Sequence, residues 1–174
     1  MGHLLASLDE VLGQGECFLL GLSDAQYADA ASSNASIGAH YRHSLEHFRI
    51  LFESVNEAEI DYDRRARDER LENERLAALQ VTRDFRHAAR FLATLPLERE
   101  IQARCKISYA GPESCATAST IGREIMYVVS HAIHHYALIG MICGMRKIPV
   151  PDDFGVAPST LDYHKQTESA RRSA

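Results

Sequence analysis

The four cysteines, Cys17, Cys105, Cys115 and Cys143, include no Cys-x-x-Cys pair. Without that spacing they read as reduced thiols of a cytoplasmic protein. Cys105 and Cys115 can face each other across a hairpin, and a disulfide between them is the minor reading. A concentrated basic patch is missing too: 19 Lys and Arg stand against 24 Asp and Glu, for a net charge of −5. That balance argues against nucleic acid as the main partner. No stretch holds about 18 uncharged apolar residues. Residues 125–145 come closest, but their histidines make them a poor membrane span, so no membrane partner is expected. The apolar run near the N-terminus is interrupted by Asp9 and Glu10, which argues against a signal peptide. Internal repeats, low-complexity tracts, a glycine-rich phosphate loop, a Ser-His-Asp order and a nucleophile elbow are all absent.

What is present suits one domain over residues 1–174, with 45% apolar and 25% charged residues and enough length for a core. Apolar residues recur at helical spacing in four stretches. The first is 3–21, with Leu4, Leu5, Leu8, Val11, Leu12, Phe18 and Leu19 on one stripe and Gly13 and Gly15 as candidate kinks. A short polar segment around Tyr27 and a Ser/Asn loop over 31–36 lead to the second, about 37–57. The mixed-charge run 60–68 reads either as a solvated linker or as a loop that Asp61 and Arg65 order over the mouth of a site. The third helix is expected over 71–95, ending before Pro96. Residues 101–119 change character, with Gly111-Pro112 as a turn signal, and suggest a short hairpin or irregular excursion. The fourth helix is capped by Ser119 or Thr120 and runs to about Gly144. Beyond about 146 the chain reads as extended, with a disordered tail after Lys165. The expectation is an all-α four-helix bundle.

The chemistry lies in the histidines. Six of the nine sit in two apolar helical stretches: His40, His43 and His47 in the second, His131, His134 and His135 in the fourth. Spacings of three, four and seven residues align side chains along one stripe. Imidazoles on a core-directed face must be hydrogen-bonded, titrated or metal-bound, because burying bare polar groups is costly. Neutral imidazole is a ligand for divalent transition metals. An i, i+4 pair, His131 and His135, together with His43 from another helix, makes a three-nitrogen set that leaves a position open. His47, one turn from His43, is a fourth ligand or an assisting base, and His40 plays a similar part or stays a core histidine. Arg42 reads either as an anion binder or as an ion-pair partner. His87 reads as a surface or rim residue, and Tyr41, Tyr127 and Tyr136 as packing residues with bonded hydroxyls.

The two histidine motifs, Ser36-Ile37-Gly38-Ala39-His40-Tyr41-Arg42-His43 and Ser130-His131-Ala132-Ile133-His134-His135, resemble those of the DinB/YfiT-like superfamily. Gly122-Arg123-Glu124 and Phe154 to Leu161 resemble a subgroup of it. The resemblance implies an up-down-down-up four-helix bundle, often a homodimer, with His43, His131 and His135 holding zinc, nickel or iron. It also implies a metal-dependent enzyme that activates water or a low-molecular-weight thiol, as a hydrolase or thiol transferase; His47, an extra histidine beyond the family's triad, is by its spacing the candidate catalytic base. The rival expectation is a non-enzymatic metal-binding or stress-response bundle protein whose site is closed or empty.

Overall fold

A computed structural model describes residues 2–29 and 36–172. The first helix, α1 (Gly2–Leu20), is continuous and buries Leu8, Val11, Leu12, Phe18 and Leu19 at the expected spacing. Gly15 does not kink it. It leaves space for two phenols, since a Cβ there would collide with the hydroxyls of Tyr41 and Tyr136. A short α2 (Asp24–Ala28) follows, held by a capping box in which the Ser23 side chain accepts from the Gln26 amide and the Gln26 side chain accepts from the Ser23 amide. Most of the loop expected over 31–36 lies outside the described residues. Ser36 is described: it caps α3 (Ile37–Ser54) by accepting from the Ala39 amide.

The expected third helix is two. α4 (Glu69–Asn73) and α5 (Arg75–Leu92) meet at Glu74, whose backbone is extended. No proline or glycine marks this break. It is set by packing: the Glu72 carbonyl comes so close to Gly38 on α3 that a Cβ there could not fit. The last long helix, α6 (Ile121–Arg146), is capped by Thr120, which accepts from the Arg123 amide, and ends at Lys147 in the left-handed conformation rather than at Gly144. Among the described residues, α6 alone is long and apolar enough to cross a membrane by length and composition. Here it packs on α3 and α1. α1 also packs on α5, and α3 on α5.

The all-α, four-helix-bundle expectation is wrong. The described residues form seven helices and a three-stranded mixed sheet in the order β1-β2-β3. β1 (Glu59–Asp61) pairs parallel with β2 (Glu100–Cys105), which pairs antiparallel with β3 (Cys115–Thr120). β1 was hidden because it is three residues long, lies in a charge-rich segment and pairs with a strand some forty residues away. The segment beyond 146 differs as well. It ends in α7 (Pro158–Arg172), not in an extended, disordered tail. α7 buries no residue, so it carries no apolar periodicity to read. Its helical signal is Pro158, whose fixed φ and missing N–H suit a first helical position.

Candidate metal centre

The seam between α3 and α6 is lined by imidazoles. His43 on α3 lies 4.5 Å, ring centre to ring centre, from His135 and 5.0 Å from His131, and the α6 pair are 4.6 Å apart. One nitrogen from each of the three lies within 4.8 Å of the others. Tetrahedral zinc at about 2.0–2.1 Å from each nitrogen needs them roughly 3.4 Å apart, a contraction small enough for side-chain rotation to supply. The three expected ligands therefore converge. His131 Nε2 is buried and has no hydrogen-bond partner. A buried, unpartnered nitrogen costs free energy unless something binds it, and a neutral imidazole nitrogen suits a metal ion.

Three further histidines surround the set. His47 sits 4.0 Å from His131 and 4.6 Å from His43, ring to ring. Its Nδ1–H donates to the His43 carbonyl at 2.9 Å, which fixes the tautomer and leaves Nε2 as the basic nitrogen. His40 is on the other side, with its Nδ1 3.2 Å from that of His135. His134 is exposed, with its ring 5.3 Å from that of His135.

Burial is the first cause holding these rings neutral. It pushes His43 down to about 2, with the neighbouring imidazoles and Arg65 adding to the effect. His131 and His47 are each lowered to about 4 and His135 to about 3, again by burial first. For His47, the bond to the His43 carbonyl opposes the shift. At neutral pH the cluster is therefore uncharged, the state in which imidazole binds metal.

One cation is already there. Arg65, from the β1–α4 connection, donates through Nη1 to His43 Nδ1. That connection is pinned at both ends. The Asp63 amide donates to the Asp61 carboxylate at 3.0 Å, and the Asp68 amide to the buried Glu46 carboxylate at 3.0 Å. Of the two readings of run 60–68, the structure has Arg65 reaching the site, while Asp61 shapes the turn. Arg42 pairs with Glu72. His87 is exposed on α5. Tyr41 stacks on Tyr136 at 5.8 Å and bonds to Thr82 at 3.0 Å. Because Thr82 donates to the Ala78 carbonyl, Tyr41 is the donor of that pair.

Sequence reasoning missed Tyr62 and underrated Tyr127. Tyr62 stacks on His47 at 5.5 Å, and its hydroxyl donates to buried Glu124 at 2.8 Å. Tyr127 stacks on His131 at 5.7 Å. The signal for Tyr62 was the alternation Ile60-Asp61-Tyr62-Asp63, the period of a strand with one buried face. Both tyrosines line a cavity of about 650 Å³ between the sheet and the start of α6, beside the histidines, with Ala103, Cys105, Ile107 and Arg123.

No family model matches this chain, and no solved structure does. A protein of Rhizopus delemar named FK506-binding protein 5 is 34% identical over 107 residues, which cover 62% of this chain and 28% of that protein. The chain thus matches less than a third of that relative's length. This match overturns the functional expectation. The relative's name points to FK506 binding, and neither a DinB/YfiT-type hydrolase or thiol transferase nor a non-enzymatic metal-binding or stress-response bundle protein finds support in it.

Proposed function

We propose that His43, His131 and His135 hold one divalent transition-metal ion, zinc, nickel or iron. The observation that carries this is the convergence of three neutral ring nitrogens from two helices, one of them buried without a partner. The likeness of the two histidine motifs to the DinB/YfiT-like superfamily supports the ligand set alone, not that superfamily's reactions. Three protein nitrogens leave a coordination position for a small-molecule donor. This chain's residues shape that position: His47 holds a basic nitrogen beside it, and Arg65 brings a positive charge to its edge. The test is metal analysis of protein purified without chelators, beside His43→Ala and His131→Ala. About one equivalent in the parent, lost in both variants, is expected. Metal-free parent protein, or unchanged content in both variants, overturns the proposal.

A second reading rests on the relative's name. The cavity beside the histidines, with Tyr62, Ile107 and Tyr127 on its walls, is the candidate place for an apolar ligand of the FK506 kind. The chain has seven tyrosines and no tryptophan, so tyrosine fluorescence reports on it directly. Saturable quenching by FK506 that Tyr127→Ala weakens supports this reading. No change in emission removes it.

A further inference from the structure

The hairpin beside the cavity pairs two thiols. Cys105, the last residue of β2, stands opposite Cys115, the first of β3, in the antiparallel register, so both side chains project from the same face of the sheet. The type of pair follows from the neighbouring bonds. The Gln102 amide donates to the Ala58 carbonyl, and the Arg104 carbonyl accepts from the Tyr62 amide, so those two residues bond toward β1. Cys105 therefore bonds toward β3, and Cys105–Cys115 is a hydrogen-bonded pair, with α-carbons about 5.5 Å apart. That separation is within disulfide range, whereas the β-carbons of such a pair, at about 4.5–5.5 Å, are wider apart than a relaxed disulfide prefers. Both cysteines are free thiols. Closure at the end of the ladder, where the strands are least constrained, gives a strained and easily reduced bond, the property of a labile disulfide rather than a structural one.

We propose that Cys105 and Cys115 form a reversible dithiol–disulfide site that exchanges with low-molecular-weight disulfides. The exchange starts at Cys115, which is exposed, while Cys105 is partly buried. The Cys115 thiolate attacks one sulfur of the small disulfide, forming a mixed disulfide and releasing one small thiol. Cys105 then gives up its proton and attacks the Cys115 sulfur, forming the internal bond and releasing the second small thiol. The pair loses two electrons and two protons, and the small disulfide gains them as two thiols. Burial, followed by the nearby Asp63 carboxylate, raises the Cys105 thiol above its ordinary value, which suits it to the second step rather than the first.

The position links this site to the histidine seam. Asp63 holds both arms of the hairpin, accepting from the Ser114 hydroxyl on one side and from the Lys106 amide on the other. Two residues further on is Arg65, which bonds to His43. Closing the disulfide fixes the two arms that Asp63 bridges, and so ties down the loop that carries Arg65. The site rests on strand register and exposure alone and stands whether or not the histidines bind metal.

The test is to incubate the full chain with oxidised glutathione and read intact mass and peptide maps. Exposed Cys17 has no thiol partner and serves as the internal control for a stable adduct. The expected result is a chain lighter by two hydrogens at the Cys105–Cys115 peptide pair, with glutathione retained on Cys17. In Cys105→Ser, glutathione should also be retained on Cys115. A parent chain that keeps glutathione on Cys115 as it does on Cys17, with no internal bond, overturns the proposal. So does a chain in which Cys17 reacts and neither Cys105 nor Cys115 changes. Circular dichroism of Cys105→Ser matching the parent confirms that the comparison is between folded proteins.

Discussion

The seam between α1 and α5 and the seam between α3 and α6 are both polar, in opposite ways. At the first, Arg86 reaches both oxygens of Asp9, at 2.9 and 3.0 Å, and one of Glu16 at 2.8 Å, while Arg83 meets the other Glu16 oxygen at 2.7 Å. Each of these four groups has an opposite charge bonded to it: the guanidinium bonds hold both carboxyls below their usual range, and those carboxylates push Arg86 up. At the second seam the imidazoles are held neutral, by burial first, the one charge is Arg65 beside His43, and His131 Nε2 has no partner. The first seam closes its electrostatics within the chain. The second does so only with something added, and that contrast is the reason to place a ligand there.

The largest test of the contrast is His131→Ala. It removes one of three ligands and should weaken metal binding by more than about 100-fold, beyond the range seen when outer partners of ligands are lost. Isothermal titration reads this, and Arg83→Met at the other seam should leave the affinity unchanged. Next is Tyr62→Phe, which strips a donor from buried Glu124 and leaves Ser119 as its remaining hydroxyl donor, at 2.6 Å. A loss of about 1–3 kcal/mol in urea unfolding is expected, the cost of an under-bonded buried carboxylate. Arg65→Met should act in the opposite sense on metal. The guanidinium bonds to His43 and bears on all four central imidazoles, so it opposes a second cation. Its removal should tighten binding by about tenfold, a difference of about 1.4 kcal/mol. An unchanged affinity would show that Arg65 swings clear at no cost.

The smallest effect belongs to the paired seam. Arg86→Met should cost less than about 1 kcal/mol, because these pairs are partly exposed and screened. Its pH dependence has a defined sign. The folded pKa of Asp9 and Glu16 lies below the unfolded one, so the stabilisation is complete above the ordinary carboxylate range and is lost as pH falls through the lowered values. The parent-to-variant difference in unfolding free energy should therefore stay flat from pH 7 to about 5 and shrink below about 4. A difference that grows on acidification would contradict the assignment.

What was legible in the sequence follows the same division. The histidine seam could be read because i, i+4 spacing on an apolar helix fixes a face, and two such faces have reason to meet. A cap within the Ser/Asn run 31–36 and one at Ser119 or Thr120 were legible because a hydroxyl before a helical stripe has a local task, and the structure uses Ser36 and Thr120. Features that depend on distant partners were not. β1 needs β2, the break at Glu74 needs Gly38, and the Asp9–Arg86 pair joins residues on different helices with no local pattern. α7 was missed for a different reason, since a helix that buries nothing leaves no stripe. Tyr62 falls between: its strand alternation was present, but only its position against His47 made it part of the site.

The central claim is that His43, His131 and His135 share one metal ion, and cobalt(II) tests it most directly. Adding Co²⁺ to the metal-free chain should give intense visible ligand-field bands that saturate at about one equivalent, the signature of a low-coordinate nitrogen site. The bands should be lost in each of the three single histidine-to-alanine variants. A spectrum indistinguishable from Co²⁺ in buffer, or one that survives the loss of His43 or His131, would contradict it.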